Sequence, residues 1–234
     1  MSFDSKTVLV TGAAGNLGRA VAEAFFERGA NLVLLGRRQE ELTAVYGNAN
    51  ERRVLAPANV LDQAAVEAAV ASAIERFERI DVLCNIAGGF RMGTPVHETP
   101  DDAWQSMMDL NARSVITMAR AVVPRMLSAG SGKIINVAAM AALKGGAGMG
   151  AYTASKSATV RLTETMAAEL RDKGINVNCV MPSIIDTPQN RAAMPDADPR
   201  RWVAPAALAE VILFLASDAA RAVHGAAIPV VGLS

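Results

Sequence analysis

The stretch from Lys6 to Gly29 restricts the fold more than any other part of this chain. Lys6-Thr7-Val8-Leu9-Val10 is a β-branched apolar run bounded by Thr11-Gly12, the pattern of a strand buried on both faces. Ala13 to Gly18 follow as a glycine-rich turn, and Leu17 to Arg28 as an amphipathic helix stopped by Gly29. Small residues in such a turn let a backbone approach a pyrophosphate, and the free N–H groups of the helix start bind the anion. The stretch therefore points to a dinucleotide.

The alternation continues along the chain. Asn31 to Leu35, Arg52 to Ala56, Asp81 to Cys84, Lys133 to Val137, Ile175 to Val180 and Ala226 to Val231 read as further strands. Between them, Asp62 caps a helix running to about Phe77, and Thr99-Pro100-Asp101-Asp102 opens another, with Thr99 as the capping hydroxyl. That helix is expected to reach Ser128, with Pro124 loosening its last turns. A long helix holding Tyr152 ends near Gly174, and Pro205 to Ser217 form one more. The pattern predicts an α/β fold, a doubly wound parallel sheet (Rossmann fold) of about seven strands in a single domain spanning residues 1–234.

Charge and chemistry-bearing residues narrow the function. The 23 basic residues balance 23 acidic ones, which argues against a nucleic-acid surface or an anionic membrane partner. No apolar run approaches bilayer-spanning length and the start lacks a signal-peptide pattern, so a cytoplasmic location is expected. Cys84 and Cys179 lie in apolar strand-like runs and read as core; His97 and His224 stand far apart, so no metal site is expected. Arg37-Arg38 follow the second strand directly, where an acidic residue would bind an adenosine ribose 2′-hydroxyl. Arginine suits a 2′-phosphate, so NADP(H) is favoured over NAD(H), with Arg37 as the main contact and Arg38 as support.

Tyr152 and Lys156 share one face of their helix, so phenol and ammonium point into the same space. A nearby cation favours the phenolate, and Tyr152 is expected to have a lowered pKa and to act as a general acid/base.

These residues resemble the short-chain dehydrogenase/reductase family over essentially the whole chain. The likeness rests on Thr11-Gly12-Ala13-Ala14-Gly15-Asn16-Leu17-Gly18, Asn85-Ile86-Ala87-Gly88, Asn111, Tyr152-Thr153-Ala154-Ser155-Lys156 and Pro182 to Thr187. It implies that Tyr152 exchanges a proton with substrate while hydride moves to or from nicotinamide. Lys156 would hold the nicotinamide ribose, and Asn111 would bend its helix and anchor a water in the proton relay. Gly12, Gly15, Asn16, Leu17 and Gly18 would surround the pyrophosphate, and Asn59 and Val60 the adenine. Asn85, Ala87, Gly88 and Pro182 would line the cofactor, and Ile185 and Thr187 would meet the nicotinamide carboxamide.

Departures from the family pattern are informative. Asn16 and Asn59 stand where glycine and aspartate are usual, and Ser183 follows Pro182 where glycine is usual. The family's catalytic serine lies thirteen residues before the tyrosine, and that position here is Ala139. Losing the serine removes a hydrogen-bond donor to a substrate carbonyl, and Ser155 and Ser157 are not evident substitutes. The dihydropteridine reductase branch, which acts on a quinonoid pterin, also places alanine there, and Gly146 to Tyr152 and Asp186 to Asp198 partly resemble it. That branch prefers NADH, at odds with Arg37. Three readings of the substrate follow: a quinonoid pterin-like acceptor, a 3-oxoacyl thioester or ketone, or a nucleotide-binding protein of this fold with little or no turnover. The segment between Thr187 and Pro205 is expected to form a short lid, with Met194 and Trp202 as its apolar wall. The resemblance also implies a homo-oligomer, dimer or tetramer, built on helices 104–127 and 152–172, with Val230 to Ser234 adding a second contact.

Overall fold

The computed structural model describes residues 1–234. Seven parallel strands stand in the order β3-β2-β1-β4-β5-β6-β7: β1 Thr7–Thr11, β2 Asn31–Gly36, β3 Arg53–Pro57, β4 Val82–Asn85, β5 Gly132–Val137, β6 Ile175–Pro182 and β7 Ala227–Val230. The chain runs outward from β1 to β3, then crosses back to place β4 on the other side of β1. Connections diverge on either side of that point, leaving a crevice above the carboxyl ends of β1 and β4. The doubly wound single sheet matches the pattern in the sequence.

Helices cover both faces. α1 (Asn16–Glu27) and α8 (Pro205–Ala216) pack on one side, burying Val8, Val10, Phe25, Leu32, Ile212 and Leu213 in one cluster. On the other, α3 (Gln63–Phe77) and α5 (Ser114–Ala129) lie over Leu9, Val33, Leu83 and Ile134, with Val66, Val70, Met118 and Val122 between. Parallel strands sandwiched this way read as continuous apolar runs, as β1 and β2 do. Each large aliphatic or aromatic side chain so buried contributes roughly 1.5–3 kcal/mol of transfer free energy.

Four local features depart from the sequence-based expectation. A short helix α2, Gln39–Tyr46, follows β2 directly, and a six-residue helix α7, Pro188–Ala193, lies in the lid. The helix expected from Thr99 starts at Asp101, with Pro100 at the cap position and no side-chain cap; the Thr99 hydroxyl instead donates to the Pro95 carbonyl at 3.4 Å. That helix is not continuous: α4 (Asp101–Met108) passes through one π-turn, Asp109–Arg113, into α5, which runs through Pro124 to Ala129. Asp62 caps α3 as expected, its Oδ1 accepting the Ala65 N–H at 3.1 Å. The Tyr152 helix, α6, spans Gly150–Leu170 and passes through a 3-10 turn to Gly174, whose φ of 77° ends it. No helix is long and apolar enough to cross a membrane.

Candidate active site

The crevice at the carboxyl ends of the strands collects most of the sequence-derived candidates. Its floor is the turn after β1. Gly12 adopts φ +63°, and a Cβ there would sit 3.0 Å from the Ala87 backbone, so only glycine lets the first turn meet the loop after β4. A Cβ on Gly18 would lie 2.2 Å from the Gly12 carbonyl oxygen, so this glycine closes the turn against the first coil of α1. Thr11 locks the two loops together: its hydroxyl accepts the Ile86 and Ala87 N–H groups, each at 3.0 Å. Tyr46, on the unanticipated α2, donates to the Ala13 carbonyl at 2.7 Å and holds the turn from the other side.

This turn fits a dinucleotide pyrophosphate. The Gly15 cap of α1 offers no side chain, and the N–H groups of Asn16, Leu17 and Gly18 find no acceptor in the protein. An uncapped helix start whose donors converge beside a glycine turn is an anion site by construction. Asn16 keeps the turn intact in glycine's place and donates through Nδ2 to the Gln189 Oε1 of α7 at 2.8 Å, joining turn and lid.

The two arginines after β2 part company. Arg38 is ion-paired with Glu41 on α2, whereas Arg37 is exposed and has no partner. The support expected from Arg38 is thus committed within its own helix, leaving the Arg37 fork free to meet an anion. Asn59 is exposed and its Oδ1 accepts the Leu61 N–H at 3.1 Å, while Val60 is buried beneath it.

The catalytic candidates converge on the opposite wall. Tyr152 is half-buried in the first turn of α6; its ring meets Phe90 edge-on with centroids 4.9 Å apart, and its hydroxyl makes no hydrogen bond within the protein. Lys156, one turn on, is 5% exposed, and its Nζ donates to the Val137 carbonyl at 2.8 Å. Gly88 comes so close that a Cβ would lie 3.2 Å from that Nζ. Burial lowers the Lys156 pKa to about 8. Burial also raises the Tyr152 pKa, and Lys156 does not figure among the causes. The expected lowering of Tyr152 by its neighbour is therefore overturned in the protein alone: desolvation of the phenolate outweighs the cation.

Asn111 sits in the π-turn, 2% exposed, and ties the wall together. Its Oδ1 accepts the Gly89 N–H at 2.9 Å, and its Nδ2 donates to the Gly89 carbonyl at 3.0 Å and to Ser155 Oγ at 2.9 Å. The Thr159 hydroxyl donates to the Asn111 carbonyl at 2.9 Å. A π-turn interrupts the helix at Asn111, and the side chain spans from the loop after β4 to α6. Asn85 is turned into the sheet instead, donating to Asn136 Oδ1 at 2.8 Å, and Asn136 donates on to Thr163 at 2.9 Å. Ala87 and Gly88 remain at the crevice edge.

Ala139 is buried at the carboxyl end of β5, extended at φ −163°, and brings no hydroxyl. No neighbouring hydroxyl stands in for it. Ser155 donates to the Tyr152 carbonyl at 2.8 Å, Ser157 to the Ala142 carbonyl at 2.8 Å and Thr153 to the Met149 carbonyl at 2.9 Å. Pro182 closes β6, and Ser183 beyond it donates to the Val231 carbonyl at 2.9 Å. Ile185 bridges to Val203, and Thr187 caps α7, its hydroxyl accepting the Asn190 N–H at 3.1 Å. In the lid Trp202 is buried and Met194 half-buried. The sequence reading missed Phe90, Tyr46 and Gln189, whose roles depend on folding partners distant in the chain.

Comparison with known proteins agrees with this geometry. A sequence model described as short chain dehydrogenase matches residues 6–198. A 2-(R)-hydroxypropyl-CoM dehydrogenase of Xanthobacter autotrophicus is 35% identical, covering 96% of each chain. A 3-oxoacyl-[acyl-carrier-protein] reductase of Thermotoga maritima is 32% identical, covering 99% of this chain and 98% of its own. Among solved structures, NAD+-bound xylitol dehydrogenase superposes with a TM-score of 0.90 at 29% identity, covering 99% of this chain and 100% of that one. Carveol dehydrogenase from Mycobacterium avium in complex with NAD gives a TM-score of 0.88 at 27% identity, covering 99% and 98%.

Proposed function

This chain belongs to the short-chain dehydrogenase family and is an NAD(P)-dependent oxidoreductase, and from that premise we propose that it prefers NADP(H) and uses Tyr152 as its general acid/base. The observation that carries the reading is the Tyr152 hydroxyl, free of any hydrogen bond within the protein and one helical turn from buried Lys156. The nicotinamide supplies or accepts the hydride when bound. Tyr152 gives a proton to the substrate heteroatom in reduction and takes it back in oxidation. Lys156, whose Nζ donates to the Val137 carbonyl, would hold the nicotinamide ribose. Asn111 holds Gly89 and α6 in register from its π-turn, and would anchor the relay water there. Arg37 meets the 2′-phosphate through its unpaired guanidinium.

The substrate is a small molecule with a reducible carbonyl or quinonoid centre. Ala139, with Ser155 and Ser157 bonded elsewhere, favours the quinonoid, pterin-like acceptor, because such a substrate needs a proton donor more than a carbonyl clamp. A missing oxyanion donor costs a carbonyl reduction roughly 3–4 kcal/mol. The enzyme acts in the cytoplasm as a homo-oligomer, paired through α4, α5 and α6, where Trp104, Ile116 and Leu127 are exposed.

Purified protein offered NADPH with a quinonoid dihydropterin and, separately, with an acetoacetyl thioester tests the reading. It predicts pterin turnover in wild type, and thioester turnover that rises at least tenfold in Ala139→Ser. Equal thioester turnover in both proteins would sink the role given to Ala139. Nicotinamide binding with no turnover of any acceptor would favour a nucleotide-binding protein over an enzyme.

A further inference from the structure

A cleft of about 550 Å³ lies away from the crevice just described, at the opposite end of the sheet, beside the amino ends of β1, β4, β5 and β6. Lys6, Lys133, Arg171 and Arg221 line it, against the carboxylates of Asp81 and Asp218. Asp81 is already neutralised. It accepts the Thr7 N–H at 2.9 Å and Arg79 Nε at 2.8 Å, and Lys6 Nζ lies 3.4 Å away. Lys133, Arg171 and Arg221 form no ion pair, and with Asp81 neutralised Asp218 is the one carboxylate left to face them.

Lys133 is the informative member. Half-buried on β5, it donates only to the neutral Oδ1 of Asn176, at 2.7 Å. Burial lowers its pKa, Lys6 adds to the lowering, and Asp218 works against it. Holding a half-buried ammonium there with no ion pair costs free energy that a bound anion would return. The rim is rigid. Asn176 Nδ2 donates to the Arg221 and Val223 carbonyls at 3.0 and 2.9 Å, and Asn178 donates to Val223 at 2.9 Å and accepts the Ala226 N–H at 2.9 Å. The backbone of Arg221 is thereby anchored on the rim of the cleft that Lys133 also lines.

We propose that this cleft binds a small polyanion of the phosphate type, separate from the dinucleotide site, with Lys133 and Arg221 as its principal contacts. Converging ammonium and guanidinium donors suit the oxygens of a phosphoryl group, which take several charge-assisted hydrogen bonds at once.

Isothermal titration of inorganic pyrophosphate into protein held in excess NADP+ tests this, because the dinucleotide blocks the other phosphate-binding turn. The expected result is saturable single-site binding, weakened at least tenfold in Lys133→Gln and in Arg221→Gln, with the NADP+ Kd within twofold of wild type in both. Arg221 is exposed, so its variant keeps the fold if the half-buried Lys133 variant does not. Absence of saturable binding, or binding unchanged in Arg221→Gln, overturns the site. Competition between pyrophosphate and NADP+ assigns the anion to the dinucleotide turn and overturns it as well. Citrate binding as tightly as pyrophosphate, and lost in the same variants, contradicts the phosphate assignment.

Discussion

At the scale of single residues, burial decides the chemistry. Lys156 is 5% exposed and its pKa falls to about 8, whereas an unfolded lysine keeps its proton to about 10.4. Between those values the unfolded chain holds a proton that the folded chain has lost, so this group's contribution to stability rises with pH across that window and is lost as pH falls through 8. Relative to Lys156→Met, wild type should therefore gain up to about 3 kcal/mol between pH 7 and pH 10.5, read as a difference in denaturant midpoints, and a gap independent of pH would contradict it. Arg37 gives a second test. Arg37→Ala should raise the KM for NADPH at least tenfold and leave that for NADH unchanged; equal effects on both would remove the 2′-phosphate contact. Although the roles proposed for them rest on the family resemblance as well, the shared helical face of Tyr152 and Lys156 and the place of Arg37 after β2 were legible from spacing and position. The direction of the Tyr152 shift was not, because sequence shows the neighbouring cation but not the desolvation that overrides it. The commitment of Ser157 was hidden likewise, since its acceptor, the Ala142 carbonyl, is set by how α6 seats against the loop after β5, whereas Ser155 turns back on its own helix to the Tyr152 carbonyl.

At the scale of elements, the strands and the long helices were legible because their apolar patterns are continuous. α2 and α7 were not: eight and six residues are too short for a clear periodicity, α2 starts without a side-chain cap, and α7 starts on the Thr187 cap. The break between α4 and α5 was legible only as the position of Asn111; the π-turn itself follows from the bonds Asn111 makes to Gly89 and Ser155. α7 carries a prediction. Thr187→Ala removes its only side-chain cap, worth about 1 kcal/mol, and should loosen the lid joined to the glycine turn through Asn16 and Gln189. Rapid-mixing fluorescence should then show dinucleotide dissociation several-fold faster with a global melting temperature lowered by no more than a few degrees. An unchanged dissociation rate would mean that α7 does not restrain the cofactor.

At the scale of the whole molecule, the parallel sheet separates two kinds of chemistry. Its carboxyl ends carry the crevice with Tyr152, Lys156 and the uncapped α1, and its amino ends carry the basic cleft around Lys133. Exposed apolar side chains on α4 and α5, Trp104, Ile116 and Leu127, leave a face that a second copy would cover. Sedimentation should therefore show a closed oligomer, and Ile116→Glu should shift it towards monomer; a wild-type monomer at micromolar concentration would contradict that arrangement. The central claim is that Tyr152 moves the proton in an NADPH-linked hydride transfer. Single-turnover NADPH oxidation by wild type and Tyr152→Phe, on whichever acceptor wild type reduces, tests it most directly. The account predicts NADPH binding within a few-fold of wild type and a rate lowered by a factor of about 10²–10⁴ in the variant. A variant that turns over within a few-fold of wild type would contradict it.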